Sequence, residues 1–447
     1  MGRIRAMPAD PGPAGWDAIL PPRISGEMLT DQLQADYLII GAGFAGLSAA
    51  RRIIQLEPDA RIIILEGCKV AEGPAGRNSG FMIDLPHDLA SDDYAGDSAS
   101  EDHRQTTLNR AAIRFAQEAV NEYGMPDEAL VASGKINAAA TAKGLKHNQD
   151  YARHLSTLDE DYKLLDAGDM RKLTGIDYYQ GGLWTPGTVM LQPALYIRGL
   201  ADGLIRHPSL QLFEQSPVVG LGKQKSGWLA QTKKGSVQAD RVILAVNGLV
   251  QHFGYYPRRL MHVFTYASMT RALSTMECQK LGGEPDWAFT PADPLGTTVR
   301  RVSGTGGHRI IIRNRATYDP SMSVSEGRMG SVAGTHRQSF EARFPMLKDV
   351  EMEHCWGGRL CLSLNGVAAL GEVDEGLYSA CCQNGLGTAK GTVAGIVSAE
   401  QACGTTDTLL PEYQTEDVPK KLMPEPLMWL GANGVMRWKE LFAGREL

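Results

Sequence analysis

The chain has 447 residues, 45 Lys and Arg against 51 Asp and Glu, and a formal net charge of −6. That length supports two interlocked domains with ample core, and the mildly acidic balance argues against nucleic acid or an anionic membrane surface as a partner. The seven cysteines (Cys68, Cys278, Cys355, Cys361, Cys381, Cys382, Cys403) lack C-x-x-C spacing, so reduced thiols are expected rather than a metal site or redox dithiol.

The first 35 residues carry Pro8, Pro11, Pro13, Pro21 and Pro22 and no signal-peptide apolar stretch. No later run reaches the roughly 18 apolar residues of a membrane span, so a soluble cytoplasmic protein is expected. Residues 36–66 then read as a βαβ unit: an apolar run (Tyr37, Leu38, Ile39, Ile40), a glycine cluster, an amphipathic helix and a second run (Ile62, Ile63, Ile64, Leu65). The cluster is Gly41-Ala42-Gly43-Phe44-Ala45-Gly46, with Glu66 ending the second strand. Gly41 permits a tight turn, Gly43 admits a pyrophosphate, and Gly46 lets the helix pack on its strand, while the helix N-terminus offers partial positive charge to phosphates. A carboxylate at Glu66 accepts ribose hydroxyls and repels a 2′-phosphate, which selects an FAD or NAD type of ligand.

Helical periodicity recurs at 108–123, where Leu108, Ala111, Ala112, Phe115 and Ala119 share a face, and at 193–207. Residues 218–248 alternate like a meander of short strands, closing on a buried strand at 242–246. Residues 254–353 are rich in strand-formers, with a helical stretch near 334–343, and read as a second, antiparallel domain. From 405 onward, Pro411, Pro419, Pro424 and Pro426 lead us to expect a tail extended over the surface.

The loop Gly73-Pro74-Ala75-Gly76-Arg77-Asn78-Ser79-Gly80 is similar to the Gly-Ala-Ser-Gly-Arg-Asn-Gly-Gly loop of flavin-dependent amine and amino-acid oxidoreductases. Gln192-Pro193, the strand ending Ala245-Val246-Asn247-Gly248, Trp356-Gly357 and Gln383-Asn384-Gly385-Leu386-Gly387-Thr388-Ala389 agree in type and order. The chain thus resembles the D-amino-acid oxidase superfamily, within it the glycine oxidase, sarcosine oxidase and gamma-glutamylputrescine oxidoreductase group. The resemblance implies an α/β fold in which a Rossmann-like FAD-binding domain with a parallel sheet interleaves with a largely antiparallel α+β substrate domain. Residues 36–95, 187–253 and 354–404 would form the FAD-binding domain, 96–186 and 254–353 the substrate domain and connecting helices, 1–35 an N-terminal arm and 405–447 a tail.

The implied cofactor is noncovalent FAD, contacted by Gly41, Gly43, Phe44, Ala45, Gly46, Glu66, Gly67, Val218, Asn247 and Gly248, by Gly76, Arg77, Asn78, Ser79 and Gly80 around the isoalloxazine, and by Gly385, Leu386, Gly387, Thr388 and Ala389 at a helix N-terminus. The implied reaction is oxidation of the C–N bond of an amine or amino acid, with oxygen or an electron carrier as acceptor and no oligomeric state specified. A substrate-binding lysine of the sarcosine oxidases falls here on Ala389 or Lys390, and the cysteine to which some of them attach flavin falls near Cys361, in a poorly matching context.

Flavin oxidation of an amine calls for positioning more than for acid–base groups. Tyr266, Arg300, Arg301 and Arg313 are therefore candidates for an aromatic wall and carboxylate clamps, and His87 and Asp84 either face the flavin or cap the following helix. Trp184 and Trp287 read as packing residues. Two other readings are a pyridine-nucleotide-linked reductase, which should carry a second G-x-G-x-x-G unit that is absent, since Gly304-Thr305-Gly306-Gly307 sits between strand-like segments and reads as a hairpin turn, and a flavin-binding protein without turnover.

Overall fold

The computed structural model describes residues 2–86, 98–414 and 417–447, so His87 lies outside the described residues. Strands Leu377–Cys381, Ser236–Leu244, Gln32–Ile40, Ile62–Leu65 and Leu210–Phe213 lie side by side and parallel in that order. Their apolar runs are continuous because both faces are covered: Tyr37 and Ile39 enter one core cluster, Leu38 and Ile40 another. Short strands Trp228–Gln231, Gly220–Lys223 and Gly2–Arg3 extend this sheet in antiparallel fashion, so the start of the chain is an edge strand.

Helices Phe44–Leu56 and Ala389–Cys403 cross at backbone contact. An added Cβ on Gly395 would lie 2.2 Å from the Ala45 carbonyl oxygen, and one on Gly391 3.2 Å from Phe44 Cβ. Their N-termini therefore meet at the carboxyl edge of the sheet, the place where open α/β sheets bind ligands.

The second sheet has eight strands, antiparallel except where Trp287–Pro291 runs beside Lys135–Ala139. Helix Glu326–Arg343 covers its outer face: Val332 packs with Phe264 and Tyr266, and Phe340 with Ile310 and Ile312. The alternate residues of the same strands, among them Thr265, Ala267, Thr298, Arg300, Ile311 and Arg313, face the first sheet.

Two readings of the sequence are corrected here and one is met. Strand Met352–Ser363 pairs along its length with Leu260–Thr270, so residues 354–363 belong to the second sheet rather than to the FAD-binding domain. Gly304–Gly307 closes the hairpin between antiparallel strands Thr298–Val302 and Arg309–Tyr318, the hairpin turn expected of it from the sequence. The tail holds a 17-residue helix, Leu427–Ala443. All four prolines that suggested extended chain precede it, and Pro426 occupies its N-cap, next to the N1 site where a missing N–H costs nothing. No helix among the described residues is long and apolar enough to cross a membrane.

Candidate active site

A cavity of ≈ 290 Å³ runs between the two sheets. Its nucleotide end is made of backbone. Gly41 has φ +108° and an added Cβ would sit 2.5 Å from the Ala245 carbonyl oxygen; at Gly46 it would sit 1.8 Å from that of Gly41. Both glycines are thus demanded by the protein itself. Gly43 is different, since its added Cβ would meet only Ala75 Cβ at 3.5 Å, and Gly387 likewise has nothing within 4 Å. Both line the cavity, so their missing side chains leave space for a ligand.

Glu66 is partly buried at the end of its strand. One carboxylate oxygen accepts from Ala42 N at 2.8 Å and the other from Cys68 N at 2.9 Å. Burial raises its pKa, opposed by these backbone N–H groups, and each oxygen keeps lone pairs for ribose hydroxyls. Gly67, Val218, Asn247 and Gly248 also line the cavity, as do Phe44, Ala45 and Gly385, Leu386, Gly387 and Thr388. Thr388 Oγ1 donates to Phe81 O (2.7 Å), tying the start of helix Ala389–Cys403 to the chain just past the flavin loop. Gly46, Gly76, Gly80 and Ala389 stand behind this lining and do not contact the cavity.

Around the flavin loop, three successive carbonyls are each taken by a side chain from a different element. Trp356 Nε1 donates to Arg77 O (3.0 Å), Trp16 Nε1 to Asn78 O (2.9 Å) and Arg300 Nη1 to Ser79 O (2.9 Å). Arg77 itself lies behind the loop, donating to the carbonyls of Glu72, Pro11, Gly12 and Gly357. Asn78 and Ser79 line the cavity, and no described residue accepts from their backbone N–H groups. With the carbonyls held from outside, these donors are left for a ligand. The fit to a flavin rests on that pair of donors, the two open glycines and the partly buried Glu66.

This arrangement corrects the role expected of Arg300. Its guanidinium also donates to Leu191 O (2.8 Å), sits 4.8 Å from the centre of the Trp16 ring, and is buried so deeply that its pKa falls to about 9. It is a tie for the loop rather than a substrate clamp. Tyr266 bonds Thr317 Oγ1 through its hydroxyl (2.6 Å) and its ring packs with Phe264 and Val332 under the covering helix, while the residue also borders the small annex beside the flavin loop. Arg301 donates to Gly282 O, away from the cavity, and Asp84 is a buried acceptor for Thr188 and Arg110. Trp287 stacks on Phe289 at 4.5 Å, and Trp184 donates to Ser133 O, so both pack. Arg313 does reach the site, lining the main cavity together with Thr290 and Thr298 and also a ≈ 20 Å³ annex beside the flavin loop. Lys390 is the second residue of helix Ala389–Cys403 and is not part of the lining.

Several lining residues escaped the sequence reading. Ile4, Ala6, Met7 and Pro8 bring the N-terminal arm against the nucleotide end, held by the Asp10–Arg359 ion pair (2.8 Å). His262 forms wall beside Gly248, its pKa pushed down to about 4 by burial. The arm's Asp10–Arg359 pair joins residues hundreds of positions apart, and no local pattern marks it.

A parallel sheet with two helix N-termini at its edge, facing a largely antiparallel sheet across a shared cavity, is the architecture of a flavoprotein oxidoreductase. The chain belongs to the DAO family of FAD dependent oxidoreductases, whose model matches residues 36–401. It is 27 % identical over 391 residues to a probable oxidoreductase OrdL of Haemophilus influenzae, covering 85 % of this chain and 86 % of that one. It is 22 % identical to the gamma-glutamylputrescine oxidoreductase of Escherichia coli, over 87 % of this chain and 89 % of the other. The crystal structure of glycine oxidase from Geobacillus kaustophilus superposes with a TM-score of 0.67 at 19 % identity, covering 87 % of this chain and all of that one.

Proposed function

We propose that this FAD-dependent oxidoreductase oxidises the C–N bond of an amine or amino acid, holding its FAD noncovalently. The observation that carries this reading is the single cavity that leads from Glu66, past the Asn78 and Ser79 N–H groups, to the Thr290, Thr298 and Arg313 face of the second sheet. FAD, when bound, supplies the two-electron acceptor for hydride from the carbon next to nitrogen. The protein's part is to orient: Arg313 pairs with an anionic group of the substrate, Thr290 and Thr298 offer hydroxyls, and the sheets exclude water. The imine released is hydrolysed in water. The names carried by the relatives, an amine-derived substrate in one and glycine in another, support this class.

Cys361 is fully buried, and a neighbouring thiol, Cys382, together with burial holds its pKa well above the ordinary value, which disfavours the thiolate needed for covalent attachment. For the acceptor, the lysine in the lining is Lys69, next to the ribose strand, and Arg313 is the cation on the substrate face. We therefore expect slow reoxidation by oxygen and faster transfer to an acceptor dye.

The test is anaerobic mixing of the yellow protein with amines, N-methyl amino acids and D-amino acids while the flavin absorbance is followed. Bleaching by a member of these classes is expected, and Arg313→Ala should raise KM for its carboxylated members by about 10- to 100-fold with a smaller change in kcat. A flavin that none of them reduces would overturn the reading.

A further inference from the structure

We propose that the tail helix Leu427–Ala443 docks the enzyme on an anionic lipid bilayer, lying flat in the headgroup region. Its inner side is fixed by specific bonds. Asn433 accepts from Tyr318 N and donates to Tyr318 O, both at 3.0 Å, Glu440 accepts from Arg315 (2.6 Å) and Ala316 N (3.2 Å), and Met428 packs with Val263, Tyr318 and Leu422. The opposite side is therefore committed to the outside. There Leu427, Leu430, Trp438, Leu441 and Phe442 are between 58 % and 80 % exposed, at helical spacing, with only Gly431 and Gly434 between them on that face. A helix on a soluble surface carries the reverse pattern, with its charged residues outward.

Charge indicates what covers this face. The whole chain is at −6, yet exposed cations gather at both ends of the helix. Arg258, Lys420 and Lys421 stand at its start, where Leu422 N bonds the Arg258 carbonyl at 2.8 Å, and Arg445 stands at its end. Three acids of the helix region are occupied, Glu425 by Tyr318 Oη and Trp429 N, Glu440 by Arg315 and Arg437, Glu446 by Ala140 N and Thr141, and one exposed acid, Asp417, stands beside the three cations at the start. An apolar ridge with aromatic rings between basic ends suits anionic headgroups and interfacial insertion. A second copy of the chain would set one basic end against another. At 17 residues the helix is about 25 Å long, short of the ~30 Å hydrocarbon core, so it rests on the bilayer rather than crossing it. Net charge alone argued against such a partner; the local distribution reverses the argument.

The experiment is co-sedimentation of the FAD-loaded protein with phosphatidylcholine vesicles, with and without phosphatidylglycerol, beside light scattering of the free protein. Wild type should pellet with the anionic vesicles and be released by high salt. The double change Leu441→Asp, Phe442→Asp should lower partitioning at least about tenfold, and Lys420→Glu with Lys421→Glu by about fivefold per charge removed, both with flavin content and unfolding temperature unchanged. Wild type that stays with neither vesicle, or variants that bind as wild type does, would overturn the proposal. So would a dimer in solution that Leu441→Asp, Phe442→Asp disperses, because the face would then be a contact between copies.

Discussion

The two ends of the cavity are built on different plans. The nucleotide end is local: one strand–turn–helix–strand unit supplies Gly41, Gly43 and Glu66 within a short stretch, and most of its contacts are backbone groups. The flavin-loop and substrate end is assembled from distant segments, with Trp16, Arg300 and Trp356 converging on three adjacent carbonyls. Backbone recognition depends on conformation and can be read from glycine spacing. Side-chain recognition depends on which strands become neighbours, and strand neighbours are set by tertiary packing.

The sharpest way to break this comparison lies inside the glycine turn. Gly46→Val would drive a side chain into the Gly41 carbonyl, 1.8 Å from the first added carbon, so the fold itself should fail, with little soluble protein. Gly43→Val meets open cavity and should leave the apoprotein folded but colourless. Overpacking costs about 1–3 kcal/mol even where neighbours can yield, and a pyrophosphate pressed against this turn cannot move away. Circular dichroism with flavin content separates the two outcomes. A Gly43→Val protein carrying a full complement of FAD would dissolve the assignment of this end.

That contrast explains what the sequence could reveal. The glycine turn, Glu66, the Asn78–Ser79 loop and the closing turn at Gly385, Gly387 and Thr388 are legible as cavity lining because each lies in a short contiguous stretch. Tyr266 and Arg300 were placed on the right strands, but strand alternation and burial decide which side each faces, and a register offset of one residue exchanges the faces. Tyr266 sends its ring under the covering helix while still bordering the annex that Thr298 and Ile311 line. The N-terminal arm was legible as an arm and not as cavity wall, because its partners Asn78 and Arg359 lie far along the chain. The tail helix was lost by counting prolines without weighing the proline-free stretch behind them.

A medium effect should follow from loosening the loop from outside. Trp16→Phe keeps the ring under Arg300 but removes the donor to Asn78 O, leaving a largely buried carbonyl unsatisfied at about 1–3 kcal/mol. If the three carbonyl bonds orient the Asn78 and Ser79 N–H groups, the cost appears twice: as a lower unfolding temperature, and as weaker FAD binding with a shifted flavin absorption band. A purely structural role would lower the unfolding temperature of the apoprotein and leave the flavin spectrum of the loaded protein where it was. Titration of apoprotein with FAD and the spectrum of the complex distinguish these results.

The smallest effect concerns acid stability, and it samples both regions through two buried rings. His262 lines the cavity and His336 lies in the second-sheet core, where Ser268 Oγ and Asn314 O contact its two nitrogens; burial pushes each pKa from 6.5 to about 4. Both rings are thus neutral in the folded protein and take up a proton more readily once unfolded. Between pH 6.5 and 4 the unfolded chain binds more protons, so stability falls as the pH falls through this window and is insensitive to these groups above it. From pH 7 to 6 the loss is below about 1 kcal/mol for each ring, growing toward pH 4. Glu66 acts in the opposite sense, since its raised pKa means that protonation relieves a partly buried carboxylate as the pH falls. Thermal unfolding of the apoprotein across this range should give a midpoint that declines below pH 6.5, and His336→Gln should flatten the decline while costing some stability at neutral pH. In His262→Gln the same flattening should appear, and FAD should suppress it only if the cofactor shields that wall. A decline unchanged in both variants would mean that neither ring is held neutral and that the acid response comes from carboxylates alone.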